Sequence, residues 1–499
     1  MTSGALRTLA ERAFKWSALT TAGRFVLQLV AQIVLARLLG PDNYGVYGIA
    51  MVVLTFAAFL SGNAFSYILM LQKDVSDEDV RFAFTWQCAA GVACALAMYF
   101  AATPIATFFG DARVASTVEW MAVACVLLAL AGPATCLLQR DLNFRALGLI
   151  QLASYALGYL AVGIPMALAG WGPQSLAGAC VVQAAVQLVG CYAVRPHSLR
   201  PLLRHPMAND TLDTGKTVFL TNIINWLLTN IDRLVIGRVL NTHAVGLYSV
   251  AYNIASIPYV LLVGALQPTF LATGAKLQDR PQELGRAWLT VLACILVLLT
   301  PASVVMALLA RDLVLFLYGP AWVEAGWVMA VMFLCLPAWA CFGLSTPVLW
   351  NTGRKHLEVW LQVPVLAAAV PAWWLLAPQG IHAMALASAI VIYVRAAVIV
   401  GAGLRAVDLR VTALLPLIAR GAGLAVLCAA AVLLGRYGAS PLHLPFATLL
   451  AGASLCALVV AAVIAIRPQV VGAEAGSVLA RLIPAMRPAW PSPAPEVHP

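Results

Sequence analysis

Fourteen apolar stretches, each long enough to cross a bilayer, follow one another almost without interruption. They lie at about 16–39, 44–71, 82–109, 118–138, 148–170, 173–194, 217–240, 244–273, 287–309, 325–349, 359–377, 380–402, 412–435 and 443–466. A membrane-crossing helix needs ~20 mostly apolar residues. Lipid offers no partner to backbone N–H and C=O groups, so segments of this length must satisfy their own backbone as helices. Composition agrees: 62% of the residues are hydrophobic and 10% charged, where a soluble chain carries roughly a quarter charged residues. The expected fold class is therefore an all-α polytopic membrane protein with about 14 transmembrane helices. The first apolar run is too long for a signal peptide and lacks a small-residue cleavage site, so it is expected to stay as a membrane helix.

The basic residues set an orientation. With the N-terminus in the cytoplasm, 21 Lys and Arg fall in cytoplasmic segments and three, Arg113, Arg311 and Arg436, near the outer face. Basic loops are retained on the cytoplasmic side. Both termini are thus expected inside, and the net charge of +10 is a topology signal, not a nucleic-acid footprint.

One motif recurs. Ala36–Ala50 reads ARLLGPDNYGVYGIA, and Gly237–Ala251 reads GRVLNTHAVGLYSVA. Arg37, Leu39, Gly45, Tyr47 and Ala50 return as Arg238, Leu240, Gly246, Tyr248 and Ala251, each 201 positions later. Six spans, an even number, separate the copies, so the repeats run the same way through the membrane, a plan that transporters use. The expected organisation is a lobe of helices 1–6 (1–194), a basic linker (195–216), a lobe of helices 7–12 (217–402), two added helices (403–466) and a cytoplasmic tail (467–499) whose end is disordered.

Polar residues line the helix that precedes each copy. Ser17, Thr20, Thr21, Arg24, Gln28 and Gln32 share one face of helix 1, and Thr217, Thr221, Asn222, Asn225, Thr229 and Asp232 mostly share one face of helix 7. A shift of 201 lays Arg24 on Asn225. At 1.5 Å per residue Arg24 lies ~13 Å above Lys15, near mid-membrane. A charge there costs at least ~2.5 kcal/mol unless it meets a cavity or a partner. Arg24, Gln28, Gln32, Thr221, Asn222, Asn225, Arg233 and Arg395 are the expected cargo-binding residues, the alternative being that they bond helix to helix. Asp232, the only carboxylate deep in a helix apart from Glu119, is the ion-coupling candidate. Arg37 and Arg238, with Gly45, Gly246, Tyr47 and Tyr248, read as structural braces at the outer ends of their helices.

No chemistry of bond-making stands out. All eleven cysteines lie inside apolar runs without a CxxC pair and read as small buried hydrophobes. Asp210–Thr217 (DTLDTGKT) lacks the first glycine of a phosphate-binding loop and a preceding strand. Neither cofactor nor metal is expected.

The two copies of the motif, together with Leu137–Tyr159 (LLQRDLNFRALGLIQLASYALGY) and Asn230–Leu262 (NIDRLVIGRVLNTHAVGLYSVAYNIASIPYVLL), resemble the Wzx or WzxC-like polysaccharide transporter family. That family belongs to the multidrug/oligosaccharidyl-lipid/polysaccharide exporter superfamily. The resemblance implies a flippase of the bacterial inner membrane. Its cargo would be an undecaprenyl-pyrophosphate-linked oligosaccharide destined for exopolysaccharide, capsule or O-antigen. It would work by alternating access coupled to an ion gradient, alongside polymerase and export machinery. Arginine suits pyrophosphate because it pairs bidentately with phosphate oxygens. The alternatives are a multidrug/cation antiporter, which would want acids where this chain offers arginines, and a peptidoglycan-precursor flippase. An O-antigen polymerase or ligase would need a sizeable outer loop, and a scaffold without transport stays open.

Overall fold

A computed structural model of the chain describes residues 3–71, 75–205, 207–439, 444–466 and 472. Among the described residues there is no β-strand. The helices are α1 (Ser3–Leu71), α2 (Asp77–Phe109), α3 (Arg113–Arg140), α4 (Phe144–Leu168), α5 (Gln174–Val194), α6 (Met207–Val239), α7 (Thr242–Ala275), α8 (Pro281–Leu317), α9 (Ala325–Leu334), α10 (Leu336–Asn351), α11 (His356–Gln379), α12 (Ile381–Ala406), α13 (Val411–Ala439) and α14 (Pro445–Ile466). The expected tail, apart from Gly472, lies outside the described residues.

Every one of the fourteen apolar stretches lies on a helix, but the count of spans is only approximate. Eleven helices are long and apolar enough to cross a membrane, or twelve if α9 and α10, bent by 44° at Cys335, form one span. The remaining difference has two sources. α1 is one run broken at Gly40, whose φ of 71° and ψ of 173° leave helical geometry. Glycine takes that conformation at no steric cost, and Pro41 then opens the next helix with its φ already set. α6, with Asn, Thr and Asp through its middle, falls short of the required apolarity.

The described chain packs as two compact units that divide between Gly246 and Leu247. The division falls within the first turns of α7. In the first unit small residues bring helices close. A Cβ on Gly91 of α2 would lie 2.3 Å from that of Ala129 in α3, and one on Gly158 of α4 would lie 2.5 Å from the Ala179 carbonyl of α5. Membrane helices associate through such contacts because lipid supplies little hydrophobic drive. α2 starts at a capping box, with Ser76 Oγ accepting from the Asp79 amide and the Asp79 carboxylate accepting from the Ser76 amide. The chain after α5 is strapped along α2: the Leu202 amide donates to Thr85 Oγ1 at 2.9 Å, and Arg81 Nε donates to the Arg200 carbonyl at 3.1 Å. His197 packs against Phe84 and Tyr192. Burial lowers its imidazole pKa, opposed by its contact with the Ser198 carbonyl.

In the second unit Trp288 and Leu292 of α8, Leu344 and Val348 of α10, Leu404 of α12 and Leu417 of α13 form one core. Gly403 leaves room for the indole, since a Cβ there would sit 2.7 Å from Trp288 Cη2. Pro337, two residues into α10, lacks the N–H that would continue α9, which accounts for the bend.

Candidate functional site

The polar face of α1 runs up against α4, rung by rung. The Arg145 guanidinium lies over the Trp16 ring, 5.0 Å from its centroid. Thr20 is buried where a Cβ on Gly148 would strike its side chain, and its hydroxyl donates to the Trp16 carbonyl at 2.7 Å. Arg24, half-buried, donates from Nη1 to Gln151 Oε1 at 2.9 Å. Thr20 therefore seals a helix pair, as interhelical packing requires. Arg24 differs from it: its partner in this contact is a neutral amide, which satisfies an N–H without cancelling the positive charge. Above it Gln28 and Gln32 are half-buried, and Gln32 Nε2 is buried without a hydrogen-bond partner.

On α6 Thr221 is buried and Asn222 exposed. Thr229 Oγ1 donates back to the Asn225 carbonyl at 2.7 Å, so part of this stripe serves its own helix. The Asp232 side chain is buried, and its Oδ1 accepts from the Arg233 amide at 2.8 Å. α6 meets α1 through Trp226, whose ring lies 4.8 Å from that of Phe56.

Arg395 on α12 sits in the packed interior of the second unit, 8% exposed. Its Nε and Nη2 both donate to Gln362 Oε1, at 3.1 and 2.8 Å, and the guanidinium lies 4.6 Å from the Phe342 centroid. Gln362 is held in turn by the Glu358 carbonyl, and the Glu358 carboxylate accepts from Trp350 Nε1 at 2.7 Å. Such a ring contact is worth up to about 2 kcal/mol when desolvated. Glu358, 5% exposed in the first turn of α11, is a buried carboxylate, as are Asp79 and Asp232. Gln151 and Gln362, which bind the two arginines, were missed by the sequence reading. A lone Gln inside an apolar run was their only signal.

The repeated motif crosses itself. A Cβ on Gly45 would fall 1.7 Å from the Thr242 carbonyl oxygen, and one on Gly246 would fall 2.0 Å from that of Pro41. Asp42 Oδ2 lies 3.1 Å from His243 Nδ1. Beside this crossing the α2–α3 turn holds both copies. Arg113 Nη1 donates to Asn43 Oδ1, Thr242 Oγ1 donates to Asp111 Oδ2, both at 3.1 Å, and Arg113 pairs with Asp111 at 2.7 Å. Arg113's hydrogen bond holds the Asp111 carboxyl below its usual range against the opposing effect of burial. Arg238 lies over Phe108 at 5.1 Å and Arg37 is exposed. Tyr47 is buried with its hydroxyl 3.0 Å from that of Tyr159. Tyr248 is fully buried and stacks near Tyr252.

Residues 34–326, more than half of the chain, match the family described as polysaccharide biosynthesis protein. The chain belongs to that family. It is a multi-pass membrane transporter, and the resemblance read from Leu137–Tyr159 and Asn230–Leu262 is borne out. It is 29% identical to the succinoglycan biosynthesis transport protein ExoT of Rhizobium meliloti over 69% of this chain and 70% of that one. It is 24% identical to the lipopolysaccharide biosynthesis protein WzxC of Escherichia coli over 62% and 63%. Among solved structures its fold is similar to the inward closed conformation of the lipid II flippase MurJ, with a TM-score of 0.70 at 13% identity, over 90% of this chain and 98% of that one. An inward-facing MATE transporter of the MOP superfamily aligns with a TM-score of 0.62 at 12% identity, over 79% and 98%.

Proposed function

We propose that this transporter flips an undecaprenyl-pyrophosphate-linked oligosaccharide from the cytoplasmic to the periplasmic leaflet of the bacterial inner membrane by alternating access, both termini being cytoplasmic. One observation carries the cargo assignment: the guanidinium of Arg24 rests on the neutral amide of Gln151. A phosphate oxygen is a stronger acceptor for guanidinium N–H than an amide oxygen, because charge assistance roughly doubles the hydrogen bond. Arriving pyrophosphate would displace Gln151 and take the fork, while Gln28, Asn222 and Asn225 address sugar hydroxyls. Names of relatives favour saccharide cargo, since they specify succinoglycan, lipopolysaccharide and teichuronic acid biosynthesis. They differ in polymer, so the sugars here are left to experiment.

Arg233 remains a candidate contact, Asp232 the candidate coupling group, and Arg395 by its burial a brace of the second unit. Residues 1–194 and 217–402 serve as the two repeats, with 403–466 appended and the polymerase and export machinery receiving the flipped unit. The deciding experiment is deletion of the gene followed by identification of the lipid-linked saccharide that accumulates on the inner leaflet. Restoration of export by the wild type but not by Arg24→Ala supports the assignment. Unchanged inner-leaflet pools on deletion would remove it.

A further inference from the structure

The chain leaving α5 forms a strap that is clasped across the start of α2. The Leu202 amide donates to Thr85 Oγ1, Arg81 Nε to the Arg200 carbonyl, and Trp86 Nε1 to the Leu203 carbonyl at 3.3 Å. His205 packs on Phe82, with its Nδ1 3.5 Å from Asp79 Oδ1. Leu202 turns inward onto the cluster of Leu69, Phe82 and Leu137. The clasp occupies backbone of the strap, and the side chains flanking Leu202 are left outward. Leu199 is 55% exposed, Leu203 67% and Trp86 41%, and Arg200 and Arg204 are exposed between them. α2 itself sets the depth of this surface. Its 33 residues span ~50 Å against a hydrocarbon core of ~30 Å, so about 10 Å at each end, some seven residues, stand clear of the core. The strap touches α2 from Asp79 to Trp86 and therefore lies at the headgroup boundary.

We infer that residues 199–204 are a docking surface for anionic phospholipid of the surrounding bilayer. Arg200 and Arg204 meet headgroup phosphates, which a guanidinium pairs bidentately. Leu199, Leu203 and Trp86 enter the acyl boundary beside them, the depth at which amphipathic side chains settle. Single exposed leucines are ordinary, but a contiguous apolar patch rimmed by charge marks an interaction site. The nearby acids do not oppose an anionic ligand. Asp79 is buried against His205, and Asp141 pairs with Arg195. Asp77 and Glu78 stand in the first turn of α2, outward of the strap. Because the segment leads from α5 to α6, the bilayer grips the chain where the two halves of the sequence repeat are joined. Neither the cargo nor the direction of transport enters this inference.

The test places the full-length protein in nanodiscs of phosphatidylcholine, alone or mixed with phosphatidylglycerol. Amide hydrogen exchange is read by mass spectrometry over peptides covering 198–204. Docking predicts exchange at least tenfold slower in the anionic discs, since each arginine near an anionic surface contributes about fivefold. The difference should shrink as salt is raised. The double variant Arg200→Gln, Arg204→Gln should lose the difference yet exchange like the wild type in neutral discs, because the clasp runs through backbone at these positions. Arg354→Gln with Lys355→Gln, exposed residues of the other unit, should keep it. A lipid effect that survives in the Arg200, Arg204 variant would overturn the docking. So would equal exchange of the wild type in the two lipids, which would leave the surface to a protein partner.

Discussion

Arg24 and Gln151 are 127 residues apart in sequence and share one hydrogen bond of 2.9 Å across the α1–α4 seam. The contact positions a cation without neutralising it. Arg395 and Gln362 repeat the chemistry between α11 and α12, but with two guanidinium nitrogens, Nε and Nη2, on one oxygen and an aromatic ring beneath. The same pair of residue types therefore leaves the guanidinium half-buried in one unit and enclosed in the other.

Arg24→Ala should cut export of lipid-linked sugar tenfold or more, about the loss of one charge-assisted hydrogen bond. Gln151→Ala should cost less, because the guanidinium survives. Gln151→Glu should cost more than Gln151→Ala, since a carboxylate would hold the fork that phosphate must take. Surface polysaccharide per unit of membrane-inserted protein measures all three. Equal activity for the Ala and Glu variants would remove Gln151 from the binding cycle.

Arg395→Ala should act on stability instead. It leaves the Gln362 oxygen and the Glu358 carboxylate buried, a loss on the order of 2–4 kcal/mol. The unfolding midpoint of detergent-purified protein should fall by several degrees, while Arg24→Ala leaves it nearly unchanged. A cavity role for Arg395 would show the reverse, with lost export at an unaltered midpoint.

Asp232 is buried on α6, a helix with Asn, Thr and Asp through its middle. If it carries the coupling ion, Asp232→Asn should still flip cargo down its gradient but no longer respond to an imposed proton gradient across vesicles. A variant as gradient-dependent as the wild type would leave Asp232 a structural group, bound to its own helix through the Arg233 amide.

The Asp111–Arg113 pair gives a pH dependence with a definite sign. The Asp111 carboxyl titrates below its usual value because Arg113 bonds the charged form. Its contribution is complete above the unfolded carboxylate pKa of about 4 and is lost as pH falls through the lower folded value. Arg113 is 44% exposed, so the contribution is on the order of 1 kcal/mol. The difference in unfolding midpoint between wild type and Asp111→Asn should hold constant from pH 8 to 5 and close only in stronger acid. A difference that shrinks already between pH 7 and 5 would assign it to another group.

Sequence made the helices legible because lipid makes the same demand on every span: a long apolar run with punctuation at its ends. Gly40-Pro41 and the Ser76–Asp79 box mark such ends openly. Periodicity also gave the shared face of Thr20, Arg24 and Gln28. It could not give what stands opposite, since a helical wheel says which residues travel together and nothing about the neighbouring helix. That is why Thr20 emerged as packing against Gly148, why Gln151 and Gln362 went unnamed, and why Glu358, at the margin of an apolar run, was not seen as buried.

The reciprocity of Gly45 and Gly246 also bears on history. Two copies of one segment that meet through equivalent residues make the contact that a half-length chain would make with its own twin. Fusing the halves turns an encounter between molecules into one at fixed local concentration, so each copy is then free to diverge. Asp42 facing His243, where a symmetric pair would have set like against like, is the mark of that freedom.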